Sequence, residues 1–408
     1  MNDHDRPELE DEPNMPSRRS FLRTAAVGAA VVGLGGTALA APGPTAGKPK
    51  PFSLKEGDDA HTGMLYRAIP ACKIRISEIS CNPAGDEPLR RMVALGCNYF
   101  HKVDGCGTPE FRQSLDWSKL YCDVVIDNTG KQEAIDEFER KRKNTGVDVI
   151  DFFKIHSKLT KPEQLKTVTS IFDAFETLRD QGKTRWLATS LHDGGPEMVD
   201  ACIEDGRFKM IQFPFNPAGA NDAWKALVKK AQAAGIAIIA MKSMAGGPSK
   251  WAESEAAKAV LQHYFDQGAS PAVAMLRWIL AQPGVTSIVP DSPNVKIAEE
   301  NCSAAGAKLT AWEHEGIERF AAAMSGIWCR SCRTCEGSCQ AGLPIPDLLR
   351  YRMYAKDYGN VAGARKLYAD LDESRRAGAC TGCGQCEKAC PYGLHVRDFL
   401  ADAHRRLS

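Results

Sequence analysis

Eight of the fifteen cysteines in this 408-residue chain fall into two copies of one pattern. The first is Cys329-x2-Cys332-x2-Cys335-x3-Cys339; the second is Cys380-x2-Cys383-x2-Cys386-x3-Cys390, with Pro391 directly after it. Three thiolates this close in sequence wrap three iron corners of a cubane, and the fourth, displaced along the chain, ligates the neighbouring cluster. The pattern predicts two [4Fe-4S] clusters with crossed ligands: Cys329, Cys332, Cys335 and Cys390 for one, Cys380, Cys383, Cys386 and Cys339 for the other. Structural zinc favours two separated CxxC pairs, and a third cysteine so soon after does not suit it. Disulfides are open to an exported chain, but cysteines crowded three residues apart, twice over, make a poor framework. The first quartet lacks the immediate proline; Gln340 follows Cys339 and Pro344 lies further on.

A helical segment must hold the quartets apart. They start about 50 residues from each other, and Ile345 to Asp372 between them reads as helix, with Leu348, Leu349, Tyr351, Tyr354 and Leu367 as its apolar positions. From Cys329 to Ser408 there are 13 basic and 9 acidic residues, an excess that offsets the negative charge of thiolate-ligated clusters. The remaining cysteines, Cys72, Cys81, Cys97, Cys106, Cys122, Cys202 and Cys302, are scattered through apolar contexts and read mostly as small buried residues. Over the whole chain 52 Lys and Arg face 51 Asp and Glu, which excludes a bulk nucleic-acid binder or a polybasic membrane-surface protein.

The first forty residues read as an address. Ser17-Arg18-Arg19-Ser20-Phe21-Leu22-Arg23 precedes an apolar run from Thr24 that ends in Ala38-Leu39-Ala40, a small-residue cleavage pattern. The paired arginines resemble a twin-arginine signal, read by export machinery that carries folded proteins. The run is weakly apolar, glycine-rich and short for a membrane span, so no stable span is expected after cleavage. Periplasm is the expected location. Gly33-Leu34-Gly35-Gly36 lies inside this signal and is not a dinucleotide loop.

From residue 64 to about 306, β-branched runs alternate with stretches of helical period. The expected strands are Ile74–Ser80, Asn98–Val103, Asp123–Asn128, Val149–His156, Thr184–His192, Lys209–Phe215, Ile236–Lys242 and Thr286–Val289, with helices such as 132–144, 162–181, 222–234 and 271–281 between them. Eight such units in about 240 residues predict a (β/α)8 TIM barrel. A doubly wound sheet would need a phosphate loop that the sequence lacks.

Several segments resemble the aldo-keto reductase family in order and spacing. Met64-Leu65-Tyr66-Arg67 through Ile76-Ser77 is similar to its opening hairpin, and Ala94 to Phe100 to its second strand, with Gly107-Thr108-Pro109-Glu110 as the turn after it. Val147-Asp148-Val149-Ile150-Asp151 leading to Ile155-His156 is similar to its fourth strand. Met241 to Gly247, and Ile288-Val289-Pro290 with Glu299-Glu300-Asn301, resemble its cofactor-side segments. The resemblance is closest to a subgroup with a C-terminal double-cluster module, whose long helical spacer resembles the α-helical ferredoxin domain.

The resemblance implies a catalytic Asp, Tyr, Lys and His, and this chain departs from them. His101 stands at the Asp position, Cys106 at the Tyr position and a residue near Thr129 at the Lys position; only the His survives, as His156. Three readings stay open. These are relics in a barrel that no longer reduces carbonyls, or the Cys106 thiol donates a proton under the influence of His101 or His156, or the family's positions fall on other residues of this chain. The implied nicotinamide residues are Ser190, Gln212, Lys242, Ser292, Lys296, Glu300 and Asn301. The family's Ser-Asn pair reads Ser190-Leu191, and Asp291 opposes a phosphate, so NADP binding is in question.

The sequence therefore predicts a twin-arginine signal over 1–40, a linker over 41–63, a reductase-type barrel over 64–310 and a helical double-cluster domain over 311–408. The expected function is an exported iron–sulfur oxidoreductase whose clusters relay electrons to or from a site at the barrel mouth, with a redox protein or a small molecule as partner. A non-catalytic electron carrier or assembly partner with a degenerate barrel, and an NADPH-dependent carbonyl reductase, are the alternatives.

Overall fold

The computed structural model describes residues 63–156, 158–192, 195–327 and 329–408. The proposed export signal lies outside them. Among the described residues no helix is long and apolar enough to cross a membrane.

Strands β1 (Tyr66–Ile69) and β2 (Ile74–Ser77) form an antiparallel hairpin. Seven strands then run parallel in sequence order: β3 (Tyr99–Phe100), β4 (Tyr121–Ile126), β5 (Ile150–His156), β6 (Thr184–Ser190), β7 (Phe208–Pro214), β8 (Ala237–Met241) and β9 (Val285–Ile288). The sheet curls, and the segment 78–81 closes it. Ile79 bridges Ile288 and Cys81 bridges Phe100, both in parallel sense. Ser80 N donates to Ile288 O, and Cys81 N to Tyr99 O, each at 2.9 Å. The expected first strand, Ile74–Ser80, is therefore two pieces: its front half belongs to the hairpin and its back half to the barrel. The chain cannot serve both, because β2 runs antiparallel to its partner while the barrel edges require a parallel neighbour.

Alternation with period 2 sorts each strand. Val124, Ile126, Phe153, Ile155, Ile211 and Phe213 join the helices in the outer core. Phe152, Ala188, Met210, Ala237 and Ile239 fill the barrel interior, capped by Ile69 and Ile76 of the hairpin. The expected helix over 162–181 breaks into Gln164–Thr167 and Ser170–Asp180, with the turn at Val168.

The expected domain boundary at residue 310 is corrected. Helix Ala311–Ala323 starts on a capping box between Thr310 and Glu313. Its apolar side packs on the barrel, where Ile317, Phe320 and Met324 share the barrel core, while Arg330 of the cysteine module donates to Ala321 O at 3.1 Å. Tyr264 donates to Glu313 O at 2.6 Å. Gly316 permits that approach, since a Cβ there would lie 2.4 Å from the Tyr264 hydroxyl. The module has its own core, built from Leu343, Ile345, Leu348, Leu394, Val396 and Leu400. Its longer helices are Ile345–Lys356, Val361–Ala369 and Val396–Leu407, with the short helix Gln385–Ala389 in the second cysteine loop.

Candidate active site and cluster cavities

The same alternation that fills the lower barrel with apolar side chains turns four polar ones inward above them. Tyr99, Asp123, Lys154 and Gln212 come from β3, β4, β5 and β7, and all are buried. Lys154 is fully enclosed, so its ammonium must spend every proton on a partner. It does: Nζ donates to Asp123 Oδ2 at 2.7 Å, Gln212 Oε1 at 2.8 Å and the Tyr99 hydroxyl at 3.1 Å. Tyr99 in turn donates to Asp123.

These bonds fix the state of His101, directly after β3. Because Gln212 Oε1 accepts from Lys154, the Gln212 amide nitrogen faces His101 Nε2, at 3.4 Å, as a donor. Nε2 accepts, and Nδ1 carries the proton, which it gives to Asp123 Oδ2 at 3.0 Å; Lys154 Nζ also lies 3.2 Å from Nδ1, but its three protons go to Asp123, Gln212 and Tyr99. Burial drives the His101 pKa down to about 4, with Lys154 adding to the effect and Asp123 opposing it. Burial alone would raise Asp123; Lys154 and His101 outweigh it and hold the carboxyl well below its usual range. The network is thus an ion pair with a neutral imidazole at its upper edge.

Above it opens a cleft of about 1700 Å³, where His101, His156, Ser190, Gln212, Lys242 and Asn301 all contribute lining. The cleft lies at the C-terminal strand ends, where barrel sites are built. His156, at the end of β5, places Nδ1 2.8 Å from Asp127 Oδ1. Its ring meets that of His192 edge-on at 5.2 Å between centroids.

Other expected site residues lie elsewhere. Cys106 is fully buried in the outer core and does not line the cleft. Its thiol donates to His101 O at 3.4 Å, and burial raises its pKa far above that of a free thiol, so the expectation of a proton-donating thiol at the mouth is corrected. Thr129, at the expected lysine position, is exposed; the buried lysine comes from the next strand. Ser292 is buried against Asn301, whose Nδ2 donates to Ser292 Oγ at 3.0 Å. Lys296 is exposed, and Glu300 accepts from Ser270. None of these three lines the cleft, so the expected phosphate-side set is not assembled there.

In the module the two cysteine sets surround two cavities. One, of about 360 Å³, is lined by Cys329, Cys332, Cys335 and Cys390; the other, of about 310 Å³, by Cys339, Cys380, Cys383 and Cys386. Their remaining walls are largely apolar, with Ile345, Pro346, Leu349 and Leu394 around the first. Among the described residues no three His, Cys, Asp or Glu side chains converge as a single metal ion requires; each quartet rings a volume instead. The loops repeat one conformation. Ser331 and Arg333 have φ of 51° and 62°, and the corresponding Gly382 and Gly384 have 72° and 73°. Left-handed residues two and four places after the first cysteine coil each loop around its cavity. Cys383 is the exposed member of the eight.

The module sits over the barrel mouth. A third cavity, of about 920 Å³, lies between them and carries Cys329 on one side and His192 and Lys242 on the other. His192, Lys242 and Asp357 line both this cavity and the cleft. Tyr354, on helix Ile345–Lys356, has its hydroxyl 2.9 Å from His192 Nδ1. Lys242 takes a left-handed backbone, φ 53°, and sets Nζ 4.5 Å above the Tyr354 ring. Tyr99, Asp123, Lys154, His192 and Tyr354 were not singled out from sequence as site residues. For Tyr99 and Lys154 a signal was available: a hydroxylated or charged side chain two residues before a histidine inside a β-run, at Tyr99 and His101 and at Lys154 and His156.

Comparison with known proteins supports both halves. The aldo/keto reductase family model matches residues 118–322, and a 4Fe-4S dicluster domain model matches residues 328–394. The apo and holo forms of aldo-keto reductase AKR11C1 from Bacillus halodurans each superpose with a TM-score of 0.53 at 16% identity, covering 66% of this chain and 99% of that one. That likeness is one of fold. One component of the Ferredoxin:CoB-CoM heterodisulfide reductase from Methanosarcina mazei is 32% identical over 85 residues, or 21% of this chain. The chain spans about half the length of that curated relative, 48% of it. Two [4Fe-4S] clusters are thus the cofactors of the C-terminal domain, and with half its length matched by the family model, the chain belongs to the aldo/keto reductase family.

Proposed function

We propose that this protein is an exported iron–sulfur oxidoreductase that passes electrons between a redox partner and a substrate at the barrel mouth. The observation that carries this is the shared wall: His192, Lys242 and Asp357 face the cleft on one side and, on the other, the cavity that Cys329 lines. Bound to the two cysteine sets, crossed as read from their spacing, the [4Fe-4S] clusters supply one-electron transfer. In this reading a partner protein docks on the face that carries the exposed Cys383, and the cluster that Cys329 holds is the one nearer the barrel. Similarity of the module to a protein named as part of a ferredoxin-linked heterodisulfide reductase supports an electron-carrying role.

The barrel residues then bind and protonate. Lys154 and Asp123 hold His101 neutral at the cleft floor, and His156, with Asp127 behind it, is a half-exposed imidazole suited to exchanging protons with solvent. Ser292, Lys296 and Glu300 lie away from the cleft while Tyr358 of the module enters it, which favours a substrate smaller than a dinucleotide. Export rests on the Ser17–Arg23 segment and the apolar run after it, and soluble NADPH is not expected outside the cytoplasm.

Turnover tests the proposal, with reduced methyl viologen as donor and a panel of quinones, 2-oxo acids and disulfides as acceptors. At least one acceptor is reduced by the wild type, and Cys332→Ser and His156→Ala each cut that rate at least tenfold. Unchanged rates in both variants would remove the mouth as the site of reduction. No turnover of any acceptor favours the second reading, a non-catalytic electron carrier, for which the relocation of Cys106 into the core speaks.

A further inference from the structure

We propose that His192 takes up a proton when the neighbouring cluster receives an electron, and that it is the proton donor on the module side of the cleft. The inference rests on the electron-relay reading above. His192 stands in the wall between the cleft and the cavity that Cys329 lines. Its Nδ1 is tied to Tyr354 of the module at 2.9 Å, and among the described residues no hydrogen bond engages Nε2. One ring nitrogen thus answers to the module and the other is left for a ligand in the cleft.

The groups that face this ring come from every element around it. Lys242 follows β8, Arg350 and Tyr354 belong to helix Ile345–Lys356, and Asp357 follows that helix. His156 meets the ring edge-on, and His101 lies at the cleft floor. Burial first, then Lys242, His156, Arg350 and His101, hold the imidazole well below its ordinary pKa, so it rests neutral. One electron added on the Cys329 side brings one negative charge to a wall that water screens poorly, and that charge favours the imidazolium. The balance is one electron from the donor and one proton from solvent, giving a cluster one charge more negative beside one imidazolium. His156, with Asp127 exposed behind it, offers the route for the proton. In the charged state Nδ1–H donates to the Tyr354 hydroxyl and Nε2–H is available to the substrate, so electron and proton leave together.

The test is an anaerobic redox titration of the cluster-loaded protein by EPR at a series of pH values. One cluster's midpoint falls by about 59 mV per pH unit, a tenfold change in equilibrium for one electron, within a bounded window, while the other's stays level. His192→Gln abolishes the slope, His156→Gln retains it, and Tyr354→Phe retains it with the window displaced. Midpoints independent of pH in the wild type, or a slope that survives His192→Gln, overturn the proposal. If His192→Gln fails to load its clusters, Tyr354→Phe decides, and an unmoved window overturns it. Reversible but pH-independent reduction of both clusters would leave the electron relay standing; clusters that cannot be reduced reversibly would sink the relay itself.

Discussion

Lys154 Nζ and Asp123 Oδ2 stand 2.7 Å apart on adjacent barrel strands, both wholly shut from solvent. An ion pair in such a place is costly to build and more costly to halve. It persists here because Tyr99, Gln212, His101 and the Lys102 backbone N–H all hydrogen-bond to the pair. The arrangement assembles Tyr, Lys, Asp and His in one place, although none stands at the position at which the family's pattern carries it.

Halving the pair is the first prediction. Lys154→Met strands a buried carboxylate and lowers stability by about 3–5 kcal/mol. Lys154→Met with Asp123→Asn recovers much of that loss. Urea denaturation of the three proteins checks it; a double variant no more stable than the single one would contradict the account of the network.

Acid should act through His101. Its pKa is about 4 in the folded protein against about 6.5 in the unfolded chain. The unfolded state therefore binds the extra proton between those values. The stability is fully present above the unfolded value and is lost as the pH falls through it toward the folded one. The loss amounts to about 3 kcal/mol. Denaturation midpoints measured across that window should drop in the wild type and flatten in His101→Gln; parallel curves would show that another group carries the effect.

Much of the fold was legible in the sequence, because hydrophobic period and turn residues report local structure directly. The cysteine sets read from spacing are also the sets that line the two cavities. What stayed hidden was which face of a strand points inward when both faces are buried. Around Lys154 both neighbours, Phe153 and Ile155, are apolar and buried, so only its two-residue spacing from His156 hinted that this lysine faces the axis. Cys106 was misplaced for the converse reason: the turn after Phe100 carries it into the outer core, behind His101. The placement of Tyr354 against His192 depends on a contact across 162 residues, which no local pattern encodes.

Cluster loading should separate the two kinds of cysteine. Cys383→Ser halves the iron content and removes one of two EPR signals on reduction, while Cys106→Ala leaves iron at the wild-type level and costs about 1–2 kcal/mol through the lost packing. Iron analysis and denaturation together decide; iron lost from Cys106→Ala would return that thiol to a functional role.

The cluster loops make a backbone prediction. Gly382 has φ +72° with no atom within 4 Å of a built Cβ, so Gly382→Ala meets no clash and only conformational strain. It should destabilise the module by about 1–2 kcal/mol without reducing iron content at low temperature. A Tm equal to that of the wild type would argue against the left-handed turn.

The most direct test of the central claim, that electrons reach the mouth from the clusters and not from a nicotinamide, is an anaerobic titration of the cluster-loaded protein with NADPH. Cluster absorbance and NADPH fluorescence are followed together, and dithionite is added at the end. The account predicts no saturable fluorescence change and no bleaching by NADPH, then full bleaching by dithionite. Stoichiometric binding, or clusters bleached by NADPH alone, would contradict it and show that the barrel still handles hydride.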